Sequence, residues 1–160
     1  MNDTEKISTI INIAIAIATI GATIAAAISA YFSYKSSKMT LNLYEKEKET
    51  KLNDELNRLI EISIEYPYVE SRTFTLQWLK YKNSDDERYL RYDLFCNRLY
   101  NHLHDVCDHF NYDKHKIENF VDIKTWIRTH KLNWLNPVEE NENINGYDEK
   151  FRSFINSYLI

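Results

Sequence analysis

The chain has 160 residues, only two glycines, two prolines and two cysteines, and a formal net charge of −4. So few breakers point to helix throughout, an all-α protein, and an acidic balance without a basic stripe argues against a nucleic-acid partner. Cys96 and Cys107 stand eleven residues apart with no CxxC pair, so neither a disulfide framework nor a zinc site is indicated.

The first predicted element sets the layout. From Ile7 to Tyr34 there are 28 residues without a charge, between Lys6 and Lys35. A hydrocarbon core of about 30 Å needs roughly 20 apolar helical residues, so this stretch is long enough to span a membrane with some tilt. A secretory signal would begin with basic residues and carry an apolar run of roughly 7–15 residues before a small-x-small site. Ile28-Ser29-Ala30 satisfies the last condition, but Asp3 and Glu5 occupy the start and the apolar run is far longer. Lys6 alone precedes the span, whereas Lys35, Lys38, Lys46, Lys48 and Lys51 follow it. Cytoplasmic flanks carry the basic excess, which places the N-terminus outside and the body in the cytoplasm.

The faces of this helix differ. Ile10, Ile13, Ile17, Ile20, Ile24 and Ile28 share one arc at helical spacing and suit lipid. Ser8, Asn12, Ala16, Thr19, Thr23, Ala26 and Ala30 form an arc without isoleucine, and Ala14, Ala18, Gly21, Ala25 and Ser29 make a small-residue stripe at coiled-coil spacing. Small residues let helix backbones approach in lipid, and a carboxamide such as that of Asn12 seeks a partner there. The expectation is a homo-oligomer in which Asn12, Thr19 and Thr23 line an interior while Ala14, Ala18, Gly21 and Ala25 make helix–helix contacts; the alternative is an inert anchor.

Three segments follow: a transmembrane anchor over 1–34, a stalk helix over 35–66 and a cytoplasmic helical bundle over 67–160. No Gly or Pro interrupts Lys35 to Tyr66, "EKEKETK" is dense in helix formers, and Pro67 forces a stop after Tyr66. Unless it bends at Ser36-Ser37, one helix from Lys6 to Tyr66 would be roughly 90 Å long. Leu52, Leu56, Leu59 and Ile60 return to helical spacing, so the end of the stalk should dock into the body. A short helix is expected over Ser71–Tyr81, with Phe74, Trp78 and Tyr81 on one face. Ser84 and Glu87 then read as a capping box opening a long core helix through Tyr89, Tyr92, Phe95 or Cys96, Leu99, Leu103, Val106 and Phe110. A further helix carries Ile117, Phe120, Val121, Trp126 and Ile127, with a break at Asp122. After "LNWLNP" and a polar loop, an amphipathic helix entered through Asn145-Gly146 closes the chain with Tyr147, Phe151, Phe154, Ile155, Tyr158 and Leu159. Twelve tyrosines exceed what one core of this size needs, which favours subunit contacts.

Two constellations could carry chemistry. Arg98, His102, Asp105 and His109 follow one another at i, i+4, i+7 and i+11, and the two imidazoles with the carboxylate are candidate metal ligands. The plainer reading is a solvated polar face, and no metal or other cofactor is implied.

The second lies in "NRLYNHLH", where Arg98 and His104 resemble the arginine and histidine of HEPN-type ribonucleases, a pair that acts on a scissile phosphate. With its single amino-terminal span and short helical body, the chain resembles the small membrane accessory proteins of type VI-B CRISPR systems and other single-span proteins of bacterial defence loci. Leu99 departs from the motif, and residues six apart lie about 240° round a regular helix. The resemblance implies a bacterial inner-membrane protein that assembles and perturbs the bilayer, with Arg98 and His104 as catalytic residues if a nuclease is present. Three functions are therefore expected in this order: a pore-forming or membrane-perturbing antiviral effector, a scaffold tethering a cytoplasmic protein partner, and a ribonuclease.

Overall fold

The structure is a computed structural model that describes residues 2–159. Every regular element among them is helical, with no strand. The chain divides into two units, Met1–Glu47 and Lys48–Ile160, and helix α1, Asp3–Glu65, runs from the first into the second.

In the first unit, residues 3–47 are helix throughout. Its start carries half of a capping box: the Asn2 N–H donates to Glu5 Oε2 at 2.9 Å, while the Asn2 side chain accepts from the Asp3 N–H. The acidic head that is wrong for a signal peptide is thus right for a helix start, where carboxylates meet the positive dipole end. Ser36 and Ser37 continue as regular helix. Every residue from 2 to 47 is exposed, and α1 is long and apolar enough to cross a membrane.

In the second unit, α1 contributes Leu52 and Leu59, both buried, before Pro67 ends it. A 3₁₀ turn, Pro67–Glu70, leads to α2, Arg72–Thr75, and α3, Trp78–Tyr81. The single helix expected over Ser71–Tyr81 is therefore two. At the join the Gln77 N–H donates to Phe74 O, a tightened i to i−3 turn. That turn belongs to the approach of Trp78, which is fully buried with its indole N–H on Asn136 O at 2.9 Å.

Helix α4, Glu87–His109, is the centre of the core, burying Tyr89, Tyr92, Phe95, Cys96, Leu99, Leu103 and Val106 on one side. Its N-cap is Asp86, whose carboxylate accepts from the Arg88 N–H at 2.9 Å. The Ser84–Glu87 capping box does not form, because the helix begins at Glu87 itself and Ser84 lies two residues before the N-cap, where its hydroxyl donates back to Tyr81 O. Helices α5, Lys114–Phe120, and α6, Ile123–Leu135, are separated by an extended Val121, and Asp122 caps α6 through the Thr125 N–H. Helix α6 continues through most of "LNWLN" rather than ending before it. A 3₁₀ turn, Asn143–Asn145, precedes α7, Glu149–Asn156, capped by Asp148. Trp134 on α6 donates its indole N–H to Asn156 Oδ1 of α7 at 3.0 Å.

The tyrosine surplus has a structural destination. Tyr89, Tyr92, Tyr100 and Tyr158 are buried, and Tyr66, Tyr68, Tyr81, Tyr112 and Tyr147 pack against the core. Only Tyr31, Tyr34 and Tyr44 remain, all exposed on α1. Aromatic count therefore gives no argument for subunit contacts, contrary to the expectation from composition.

Candidate functional site

Arg98 and His104 leave the unbroken α4 in different directions. The Arg98 guanidinium forms a two-point ion pair with the Glu55 carboxylate on α1, its Nε on Oε1 and its Nη2 on Oε2. Hydrogen bonding from Arg98 holds the Glu55 carboxyl below its usual range. His104 packs instead on Phe151 and Tyr147, with ring centroids 5.0 and 5.6 Å away, and its Nε2 lies 3.7 Å from Asp148 Oδ2 at the start of α7. Both side chains thus join helices, and the structure does not bring them to a shared point.

The stripe around them also disperses. His102 is buried between α4 and its neighbours, with both ring nitrogens lacking a hydrogen-bond partner among the described residues and Trp126 edge-on at 6.4 Å. Burial drives its pKa down to about 4, keeping it neutral. Asp105 is exposed. Among the described residues no group of three or more His, Cys, Asp or Glu side chains is arranged to hold a metal ion.

The structure does gather one set of reactive side chains that spacing does not suggest. His130 is fully buried, its Nδ1 3.2 Å from the Tyr92 hydroxyl and 3.7 Å from Cys96 Sγ, while Nε2 lies 3.3 Å from Glu70 Oε2 but out of line for a hydrogen bond. A thiol, an imidazole and a carboxylate in sequence resemble a nucleophilic triad. However, Cys96 is wholly buried and burial raises its thiol well above the ordinary range, the opposite of an activated nucleophile. This is a polar cluster inside the core.

On α1 the expected membrane-facing arc is fully displayed: Ile10, Ile13, Ile17, Ile20, Ile24 and Ile28 are 52–66% exposed. Thr19 donates its hydroxyl to Ile15 O and Thr23 donates to Thr19 O, both at 2.8 Å. Each hydroxyl proton is thus satisfied within the helix, leaving only oxygen lone pairs for a neighbour. The small stripe is equally open, since a Cβ added at Gly21 would meet nothing within 4 Å.

One concave feature of the body involves none of the residues that the sequence motifs single out. A cleft of about 540 Å³ between α2 and α6 is lined by the cations Arg72, Arg128 and Lys131 and by the hydroxyls of Thr75, Thr125 and Thr129, with no Asp or Glu. Residues 125, 128, 129 and 132 fall at i, i+3, i+4 and i+7 on α6, a periodicity visible in the sequence had α6 been extended through Leu135. The acidic total conceals it. No family model, curated protein or solved structure matches this chain.

Proposed function

We propose that this chain is a single-pass protein of the bacterial inner membrane, with its body in the cytoplasm, that self-associates through its membrane helix and as an assembly perturbs the bilayer. Its setting would be antiviral defence, which follows from the resemblance in layout to the single-span proteins of defence loci. The observation that carries the reading is the first unit itself. An uncharged stretch of 28 residues is displayed with every side chain exposed, isoleucines on one arc and Asn12, Thr19, Thr23 and the small stripe on others. Lipid can cover the isoleucines, but small residues and a carboxamide are better covered by another helix. By contrast, the catalytic candidates in the body are committed to packing.

The test uses the full chain reconstituted in vesicles of phosphatidylethanolamine and phosphatidylglycerol holding a self-quenched dye. The wild type should release dye, and replacing Asn12, Thr19 and Thr23 together with leucine should abolish release. Unchanged release from that variant, or a monomer in detergent for the wild type, would overturn the reading.

A membrane tether for a cytoplasmic partner is the second reading, and the Thr19 and Thr23 hydroxyls favour it because each is already satisfied by its own helix. In that case an unrelated transmembrane helix replacing residues 1–34 would preserve function.

A further inference from the structure

The cleft between α2 and α6 is the feature of the body that packing does not explain. The second unit carries many cations, and most that meet a carboxylate do so locally: Arg88 with Asp86, Arg91 with Glu87, Lys116 with Asp113 and Lys124 with Glu118. Arg72, Arg128 and Lys131 have no ion pair among the described residues, although acidic residues outnumber basic ones in the chain by 24 to 20. Three like charges facing one concavity repel one another, and the arrangement is relieved when an anion enters.

We propose that this cleft binds a phosphate ester carried on an apolar group, with Arg72, Arg128 and Lys131 meeting the phosphate.

The chemistry of the lining selects that class. A guanidinium presents paired N–H donors that match two phosphate oxygens, and two arginines with a lysine supply a clamp for a doubly charged group. Thr125 and Thr129 sit one turn apart on α6 beside Arg128, and no hydrogen bond of either hydroxyl to a described residue competes for their protons. Thr75 is 2% exposed and spends its proton on Arg72 O at 3.2 Å, which also ties the first cation's backbone to the cleft floor. The remaining wall is Leu76, Leu132 and Leu159, a surface for a flat or aliphatic moiety rather than for a bare ion. The volume lies within the roughly 300–1,000 Å³ of sites for small organic ligands. A soluble nucleotide and the headgroup of an anionic lipid both offer this combination. The proposal goes beyond the membrane reading and does not depend on it, because binding is measured without reference to leakage.

The experiment is titration calorimetry on the full chain in a neutral maltoside detergent, with three probes in separate arms: ATP, inorganic pyrophosphate, and nanodiscs of phosphatidylglycerol set against nanodiscs of phosphatidylcholine. The expected result is saturable binding of ATP tighter than of pyrophosphate, weakened by salt, and reduced about tenfold or more by Arg128→Gln and by Arg72→Gln. Lys124→Gln, which removes a charge from the same helix outside the cleft lining, should leave it unchanged. Saturable binding to phosphatidylglycerol nanodiscs but not ATP, with the same response to Arg128→Gln, would identify the ester as a lipid headgroup. Absence of saturable binding in all three arms would overturn the proposal, as would binding equally reduced by Lys124→Gln, the mark of diffuse charge. Both arginine positions are exposed and without an ion pair among the described residues, so the helical circular dichroism and melting temperature of the variants should match the wild type, separating lost binding from lost fold.

Discussion

The guanidinium of Arg98 faces the carboxylate of Glu55 across the seam between α1 and α4 through two hydrogen bonds, one of them 3.0 Å from Nη2 to Oε2. Both groups are partly open to solvent, which screens their attraction, so the pair is worth about 1 kcal/mol rather than the several a buried pair could cost on breaking. A double-mutant cycle with Glu55→Gln and Arg98→Gln, measured by urea unfolding of the full chain in detergent, should return a coupling of about 1 kcal/mol that declines with salt. Arg98→Lys should lose most of it, since an ammonium lacks the planar fork. Zero coupling would show that this contact between α1 and α4 contributes nothing to stability.

His102 makes stability fall on the acid side of neutrality. Its folded pKa is about 4 because burial penalises the imidazolium, against about 6.5 for an unfolded histidine. Between those values the unfolded chain takes up a proton that the folded chain does not. Stability therefore declines as pH drops through that window, by a total on the order of 3 kcal/mol, and the contribution levels off below it. Replacing His102 with leucine should flatten this part of the stability curve measured from pH 7 to 4. It should also leave neutral stability the same or higher, because two ring nitrogens without partners are removed. A variant with the wild-type acid slope would place the responsible group elsewhere.

The helical class and the main core face were legible because the α4 pattern is strong: seven apolar positions at 3–4 spacing had only one solution, a helix with that side inward. Pro67 and Asp122 were equally plain as stops. Ser84 was misread because a capping box is a local pattern, whereas the helix begins at Glu87 with Asp86 as its cap and Ser84 lies two residues before that cap. The split at Gln77 depends on Asn136, far along the chain, accepting from Trp78. The cleft was hidden for the same reason, since Arg72 and the α6 cations become neighbours only when the chain folds.

Asn143 links two stretches of chain from an unusual backbone position. Its φ is 50°, and its Nδ2 donates to Asn133 O and Oδ1 at 2.9 and 3.0 Å, while Asn133 Nδ2 donates to Asp93 Oδ1 at 2.8 Å. Asn143→Ala removes the donor and forces a Cβ-bearing residue without a polar side chain into the left-handed region, for a combined loss of about 2–4 kcal/mol. Asn143→Gly loses the hydrogen bonds but relieves the backbone, and should recover about 1 kcal/mol of it. Urea midpoints should therefore rank wild type, Asn143→Gly, Asn143→Ala. The reverse order of the two variants would show that the backbone conformation contributes nothing.

The two glycines differ in what surrounds them, and that difference separates folding from assembly. A Cβ on Gly146 would stand 2.8 Å from Asn141 O and 3.5 Å from Glu142 Cα, all backbone that no rotamer change can move aside. Its φ of −82° suits any residue, so the glycine is there for close approach alone. Gly146→Ala should destabilise the body by about 1–3 kcal/mol, through displacement of the adjoining 3₁₀ turn. Gly21 has nothing within 4 Å, so Gly21→Ile should leave the unfolding midpoint of the body at its wild-type value. If copies meet through Ala14, Ala18, Gly21 and Ala25, however, the same substitution separates the backbones and should shift the assembly toward monomer in light scattering of the detergent-solubilised chain. An unchanged assembly mass for Gly21→Ile would exclude the small-residue stripe as the contact face.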